Sequence, residues 1–224
     1  MKAKGIACLA VVMGALPVSL SYSADAITFA FSGAVSHIND HGAPFLDESI
    51  AVHSPMTATY TFDPAVPDSR PDLSHLGVYR QPLSAGASFT LQVGNYTLRL
   101  FDGYYVIQIE NDGGSHGNND KYEIGCSVAS GAFSNGDDTY TSFGFVVNLR
   151  DFDTGAVFTD TSLPTLLDLS NFDNGNILIT VYEPGGSDTD IIANIHSLQA
   201  PIPEPDALAL LALGGLALLG RRRR

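Results

Sequence analysis

Oxygen-rich loops carry the strongest chemical pattern in this chain. Asn111-Asp112-Gly113-Gly114-Ser115-His116-Gly117-Asn118-Asn119-Asp120 gathers carboxylates and amides on a glycine-loosened backbone, and Asn135-Gly136-Asp137-Asp138 repeats the chemistry in a shorter loop. Calcium takes six to eight oxygens at about 2.3–2.6 Å, and loops between strands supply such ligands. The expected ligands are Asp112, Asn118, Asp120, Asp137 and Asp138. Neither loop follows EF-hand spacing, and a solvated turn uses the same residues. No cofactor is required by the sequence; calcium is the one candidate.

Other constellations fit known chemistries less well. Gly113-Gly114-Ser115-His116-Gly117 has the G-x-S-x-G form, but a nucleophile elbow needs a helix after it, and Asn118-Asn119-Asp120 leads into a strand. Asp153-Thr154-Gly155 matches an aspartic-protease triplet, yet that chemistry needs two aspartates sharing a proton and the chain holds one triplet. His37 and His41, with His53 nearby, have a four-residue spacing that aims imidazoles at a metal only on a helix, and Asn39, Asp40, Gly42 and Pro44 make this a loop. Glu110 and Glu123 flank one loop, and Glu48 and Glu183 lie in the same body; paired carboxylates cleave glycosides when about 5–5.5 Å apart in retaining enzymes. Sugars also stack on flat aromatic rings. The chain has no Trp, which leaves Tyr79, Tyr104, Tyr105 and Tyr140 as platforms.

The elements that must position these residues are strands. Period-two alternation recurs, and helical periodicity does not. Ile27, Phe29, Phe31 and Val35 share a face, as do Met56, Ala58, Tyr60 and Phe62. Phe89, Leu91 and Val93 precede Gly94-Asn95, and Tyr96, Leu98 and Leu100 follow. That two-residue loop suits a primed turn and pairs Val93 with Tyr96, Leu91 with Leu98 and Phe89 with Leu100. Tyr105, Ile107 and Ile109 form the next face; Tyr122, Ile124, Cys126 and Val128 another, pointing Cys126 inward as a small core residue. Phe143 to Leu149, Ile177 to Val181 and Ile191 to Leu198 complete the set. The expected fold is all-β: roughly nine or ten strands in a two-sheet antiparallel β-sandwich, jelly-roll-like, with a helical turn near Leu163 to Asp168.

Between Ile27 and Pro203 stand five basic and 21 acidic residues, a balance of −16. Phosphate backbones and anionic lipid surfaces both need basic clusters, so nucleic acid is excluded as a partner. Calcium binding and contact with a hydrated matrix fit the charge. Only Cys126 lies in this body, so it forms no intramolecular disulfide.

The two ends are apolar. Lys2 and Lys4 precede an apolar stretch from Ile6 to Leu16, and Ala24-Asp25-Ala26 is an A-x-A site, so residues 1–26 read as a secretory signal helix cut at Ala24 and Ala26. At the other end come Pro203, Glu204 and Pro205, an apolar run from Ala207 to Gly220 and a basic cluster, Arg221, Arg222, Arg223 and Arg224. The run spans roughly 21 Å as a helix, short of the roughly 30 Å hydrocarbon core. It enters a bilayer but anchors poorly, and the arginines stay on the cytoplasmic side.

This order of triplet, glycine-broken apolar helix (Gly214 and Gly215) and terminal arginines resembles the PEP-CTERM sorting signal. The resemblance implies an exosortase, a membrane transpeptidase of Gram-negative bacteria that make extracellular polysaccharide, as the partner that recognises the tail and cuts near the triplet. Tyr60 to Asp72, followed by Gly77-Val78-Tyr79, also resembles stretches in other secreted bacterial proteins with this tail. The expected organisation is a signal peptide (1–26), a β-sandwich body (27–200) and a sorting tail (201–224). The expected function is that of an exported, surface- or matrix-associated, non-enzymatic protein that contacts extracellular polysaccharide after transient insertion of its tail in the inner membrane. The alternative is a secreted carbohydrate-active enzyme.

Overall fold

In the computed structural model, residues 26–41, 46–83, 87–111, 119–126, 130–152, 157–182 and 188–199 are described. The signal segment and the sorting tail, with the helices expected there, lie outside them. No helix among the described residues is long and apolar enough to cross a membrane.

Among the described residues are twelve strands: β1 (Ile27–Asp40), β2 (Pro55–Phe62), β3 (Leu76–Pro82), β4 (Ser88–Val93), β5 (Tyr96–Asp102), β6 (Tyr104–Glu110), β7 (Asp120–Cys126), β8 (Ser130–Ser134), β9 (Thr139–Tyr140), β10 (Phe143–Asp151), β11 (Asn174–Tyr182) and β12 (Asp188–Gln199). They make one antiparallel sheet in the order β3-β6-β7-β10-β11-β12-β1-β2-β4-β5-β8-β9. The all-β expectation holds, but the hydrogen bonding is continuous where two separate sheets were expected.

The sheet curls so that its two halves face each other across one core. Phe89 of β4 stacks on Phe145 of β10, with ring centroids 3.9 Å apart. The Tyr60 and Tyr122 hydroxyls meet at 2.7 Å between β2 and β7, and the Tyr105 hydroxyl donates to the Thr61 carbonyl. The bend falls on the long central pair β1 and β12, whose ladder slips at Ser32/Gly33 and at Val35/His37. Such bulges bend a strand and sharpen its twist. Gly33 sits at the first slip, where a Cβ would come within 2.0 Å of the Asn194 carbonyl oxygen.

Alternation reads the inner faces correctly. Phe29, Phe31, Val35, Met56, Ala58, Tyr60, Phe62, Ile107, Ile124, Cys126, Val147, Ile179 and Ile191 are all buried; Val128 lies outside the described residues. The 94–95 hairpin forms with Val93 opposite Tyr96 and Leu91 opposite Leu98. Gly94 takes φ +55°, while Asn95 stays out of the left-handed region, the pattern of a II′ turn. The expected Phe89–Leu100 pair is absent: the β4–β5 ladder stops at Thr90/Arg99, and Leu100 pairs with Gly131 of β8 instead. A bulge at that point turns Phe101 outward.

The expected helical turn near 163–168 is displaced. A single 3-10 turn covers Leu169–Asn171, capped by Asp168, whose carboxylate accepts from the Ser170 amide. It belongs to a crossover from β10 to β11 that closes one end of the core with Phe158, Leu167 and Phe172. The segment from Asp63 to His75, which overlaps the Tyr60 to Asp72 stretch, covers the open edge of β3. The Ser69 amide donates to the Val78 carbonyl at 2.8 Å, and the Asp68 carboxylate accepts from the Val78 amide at 2.9 Å. That pairing blunts an edge that would otherwise recruit another strand. The opposite edge, β9, is only two residues long.

Candidate functional site: an outer-face groove

The ladders of β6, β7, β10, β11 and β12 set residues into rows across the outer face. One row is Gln108, Glu123, Asn148, Asn176 and Asn194, each opposite the next on its neighbouring strand. The next row, two residues along each strand, is Val106, Gly125, Val146, Leu178 and Ile192. Neighbouring strands lie about 4.8 Å apart, so each row is an evenly spaced line. A line of four amides and one carboxylate, Glu123, thus runs beside a line of aliphatic side chains interrupted at Gly125.

The aliphatic row is not flat. Gly125 leaves its middle open, and Gly144, opposite Thr180, does the same in the row beyond. A groove of about 250 Å³ lies among Tyr104, Val106, Gln108, Glu123, Gly125 and Val146. A contiguous dip of about 220 Å³ is lined by Gly144, Val146, Leu178, Thr180 and Tyr182. Tyrosines mark the two ends: Tyr104 on β6 is 43% exposed and Tyr182 on β11 is 46% exposed. The Arg80 guanidinium sits 5.4 Å from the centre of the Tyr104 ring, a cation–π contact that steadies this platform. At the other end the Thr180 hydroxyl donates to the Asp190 carboxylate at 2.6 Å.

Of the four tyrosines picked out from sequence, Tyr104 alone is a surface platform. Tyr105 is fully buried, and Tyr79 is buried with its hydroxyl donating to the Thr161 carbonyl. Tyr140 packs, tilted, against Tyr96. Tyr182 ends β11 directly after the buried Val181, and alternation turns it outward without marking it as a platform.

Glu110 and Glu123 flank the 111–119 loop, as expected. Glu110 and Glu123 both bond to Lys121, at 3.3 and 3.4 Å, so the pair shares one ammonium. Glu48 lies in an exposed turn between β1 and β2, and Glu183 lies outside the described residues. Asp120 is fully buried, and its carboxylate accepts from the Phe158 amide at 2.7 Å, tying the crossover to β7. Asp112, Asn118, the G-x-S-x-G stretch and Asp153-Thr154-Gly155 fall outside the described residues. In the 135–138 turn the Asn135 side-chain oxygen accepts from the amides of Asp137 and Asp138 at 3.0 and 2.7 Å, while its amide donates to Asp47 at 3.0 Å. The Asp47 carboxyl is held below its ordinary range, chiefly by hydrogen bonding to Ser49.

The histidines do not converge. His37 is exposed on β1, and His41 accepts from the Asn39 amide at 2.9 Å and lies 3.7 Å from Asp190. His53 occupies a turn with φ +75°. Among the described residues no three His, Cys, Asp or Glu side chains gather as a metal site. Free Cys126 is buried and faces the Tyr104 carbonyl.

No curated protein and no solved structure matches the chain. A family model does match its end. Residues 201–224 carry the PEP-CTERM protein-sorting motif, the recognition signal for exosortase processing, and mark an exported protein that is processed at the membrane through its C-terminal tail.

Proposed function

We propose that the β body is a non-enzymatic, surface- or matrix-associated module that contacts extracellular polysaccharide through the outer face of β6, β7, β10 and β11. The observation that carries this reading is the groove: an aliphatic floor beside an amide row, with an exposed tyrosine at each end. Sugar rings have apolar faces and hydroxylated rims. Aliphatic and aromatic surfaces take the first, and amides, which donate and accept, take the second. In this reading the curled sheet acts as a two-layered, sandwich-like body. The terminal apolar segments act as topogenic helices, one leading the chain out and the other docking it for processing.

The geometry of attachment agrees. β12 ends at Gln199, four residues before Pro203. The groove's tyrosines lie toward the opposite end of the strands, where Tyr182 pairs with Asp188. Eleven strand residues separate those levels, roughly 37 Å at about 3.4 Å each. A body held by its tail presents the groove away from the membrane.

The test is co-sedimentation of the mature protein with its host's extracellular polysaccharide, with and without a calcium chelator, together with a reducing-sugar assay. The expected result is co-sedimentation without sugar release. Release of reducing ends would replace this reading with the carbohydrate-active enzyme. Intact-mass analysis of the surface protein is expected to give a chain starting near Ile27 and lacking Arg221 to Arg224.

A further inference from the structure

We infer that the groove takes an uncharged polysaccharide, laid across the strands from Tyr104 to Tyr182 over the floor opened by Gly125 and Gly144; this rests on the polysaccharide reading above.

The two glycines carry the first part. Glycine in a strand interior weakens the strand and is normally there because a bulge or a close approach demands it. Gly33, Gly77 and Gly131 have such a demand, since a Cβ there would come within 2.4 Å of a carbonyl oxygen. Gly125 and Gly144 have none. Neither has a positive φ. A Cβ at Gly125 would meet the Phe145 carbonyl oxygen at 3.6 Å and Val146 at 3.8 Å, and one at Gly144 would meet only the Cys126 carbonyl oxygen at 3.9 Å. Both are ordinary contacts, so the backbone has room for larger residues here. What their absence provides is the groove. It crosses three strand-to-strand gaps from β6 to β11, about 14 Å, and so accommodates several linked sugar rings in a line.

Charge carries the second part. Polyuronate, sulfated and phosphorylated glycans are recognised by arginine and lysine clusters that pair with their anionic groups. The charged side chains along these rows are Glu123, bonded to Lys121, Asp190, bonded to the Thr180 hydroxyl, and Arg80, opposite Val106 on β3. Arg80 is committed to the Tyr104 ring. The body's balance of −16 repels polyanions further. The remaining polar groups are Gln108, Asn148, Asn176 and Thr180, suited to hydroxyls.

The test splits the host's extracellular polysaccharide by anion exchange into uncharged and acidic fractions. Calorimetric titration then follows the mature body, wild type and Gly125→Val, against each fraction at about 0.05 M and 0.5 M salt. Valine fills the groove and favours strand structure, so the variant stays folded by circular dichroism; Tyr182→Ala, at an exposed site, serves as a second variant. The expected result is binding to the uncharged fraction with little salt dependence, weakened about tenfold or more by either change. Binding to the acidic fraction alone, or undiminished binding by both variants, overturns this inference and leaves polysaccharide contact standing. Binding to neither fraction overturns both.

Discussion

Adjacent rows on the same five strands have opposite jobs. Ile107, Ile124, Val147, Ile177 and Ala193 line up across β6, β7, β10, β11 and β12, all fully buried or nearly so. One residue along each strand, Gln108, Glu123, Asn148, Asn176 and Asn194 line up on the outside. The same ladders hold both rows, so backbone pairing cannot distinguish them. What differs is the solvent each row meets. The inner row holds the fold through burial. The outer row meets water, and in the proposed reading it carries the contact.

That contrast sets the order of expected effects. Ile124→Ala opens a cavity in the inner row and should cost about 2–5 kcal/mol, read as a lower urea midpoint with an unchanged slope. Asp120→Ala strands the Phe158 amide and loosens the end-closing crossover, at about 1–3 kcal/mol, with faster hydrogen exchange between residues 157 and 173. Tyr122→Phe removes one partner of the buried tyrosine pair and should cost about 1 kcal/mol. Asn176→Ala, in the outer row, should change stability by less than about 0.5 kcal/mol while weakening polysaccharide binding. A large loss of stability from Asn176→Ala would erase the distinction between the rows.

The buried tyrosines also make the core sensitive to alkali. Burial, first of all, pushes the phenols of Tyr60, Tyr105 and Tyr122 well above their ordinary range. Unfolded, each ionises near pH 10. Above that pH the folded state therefore binds more protons than the unfolded one, so stability is intact below it and falls as pH rises. Absorbance titration at 295 nm should show exposed phenols ionising first and a late, steep step that coincides with unfolding.

Much of the inner row was legible because alternation is a local property. Phe143 to Leu149 and Met56 to Phe62 declare their buried faces within a few residues. β3 was not legible: its inward positions are Gly77, Tyr79 and Gln81, and only one of them is apolar and large. Gln81 is buried because its side chain meets both backbone groups of Asp63, at 3.1 and 3.3 Å, a satisfaction no periodicity reveals. β8 and β9 were too short to alternate visibly. The outer-face groove was hidden for a different reason. Gln108, Asn148 and Asn176 are ordinary solvent-side residues until the register of four ladders sets them in a line, and register is a tertiary fact. The tail is the reverse case, since its triplet, apolar run and arginines are contiguous and need no fold to be read.

The most direct measurement is a two-dimensional NMR titration of the isotopically labelled mature body with oligosaccharides cut from the host's extracellular polysaccharide. The side-chain amides of Gln108, Asn148 and Asn176 should shift, with Gly125 and Gly144, while the backbone amides of Leu91, Val93 and Leu98 on the opposite half of the sheet stay in place. Shifts confined to that other half, or none at saturating oligosaccharide, would contradict the assignment of the outer face as the contact surface.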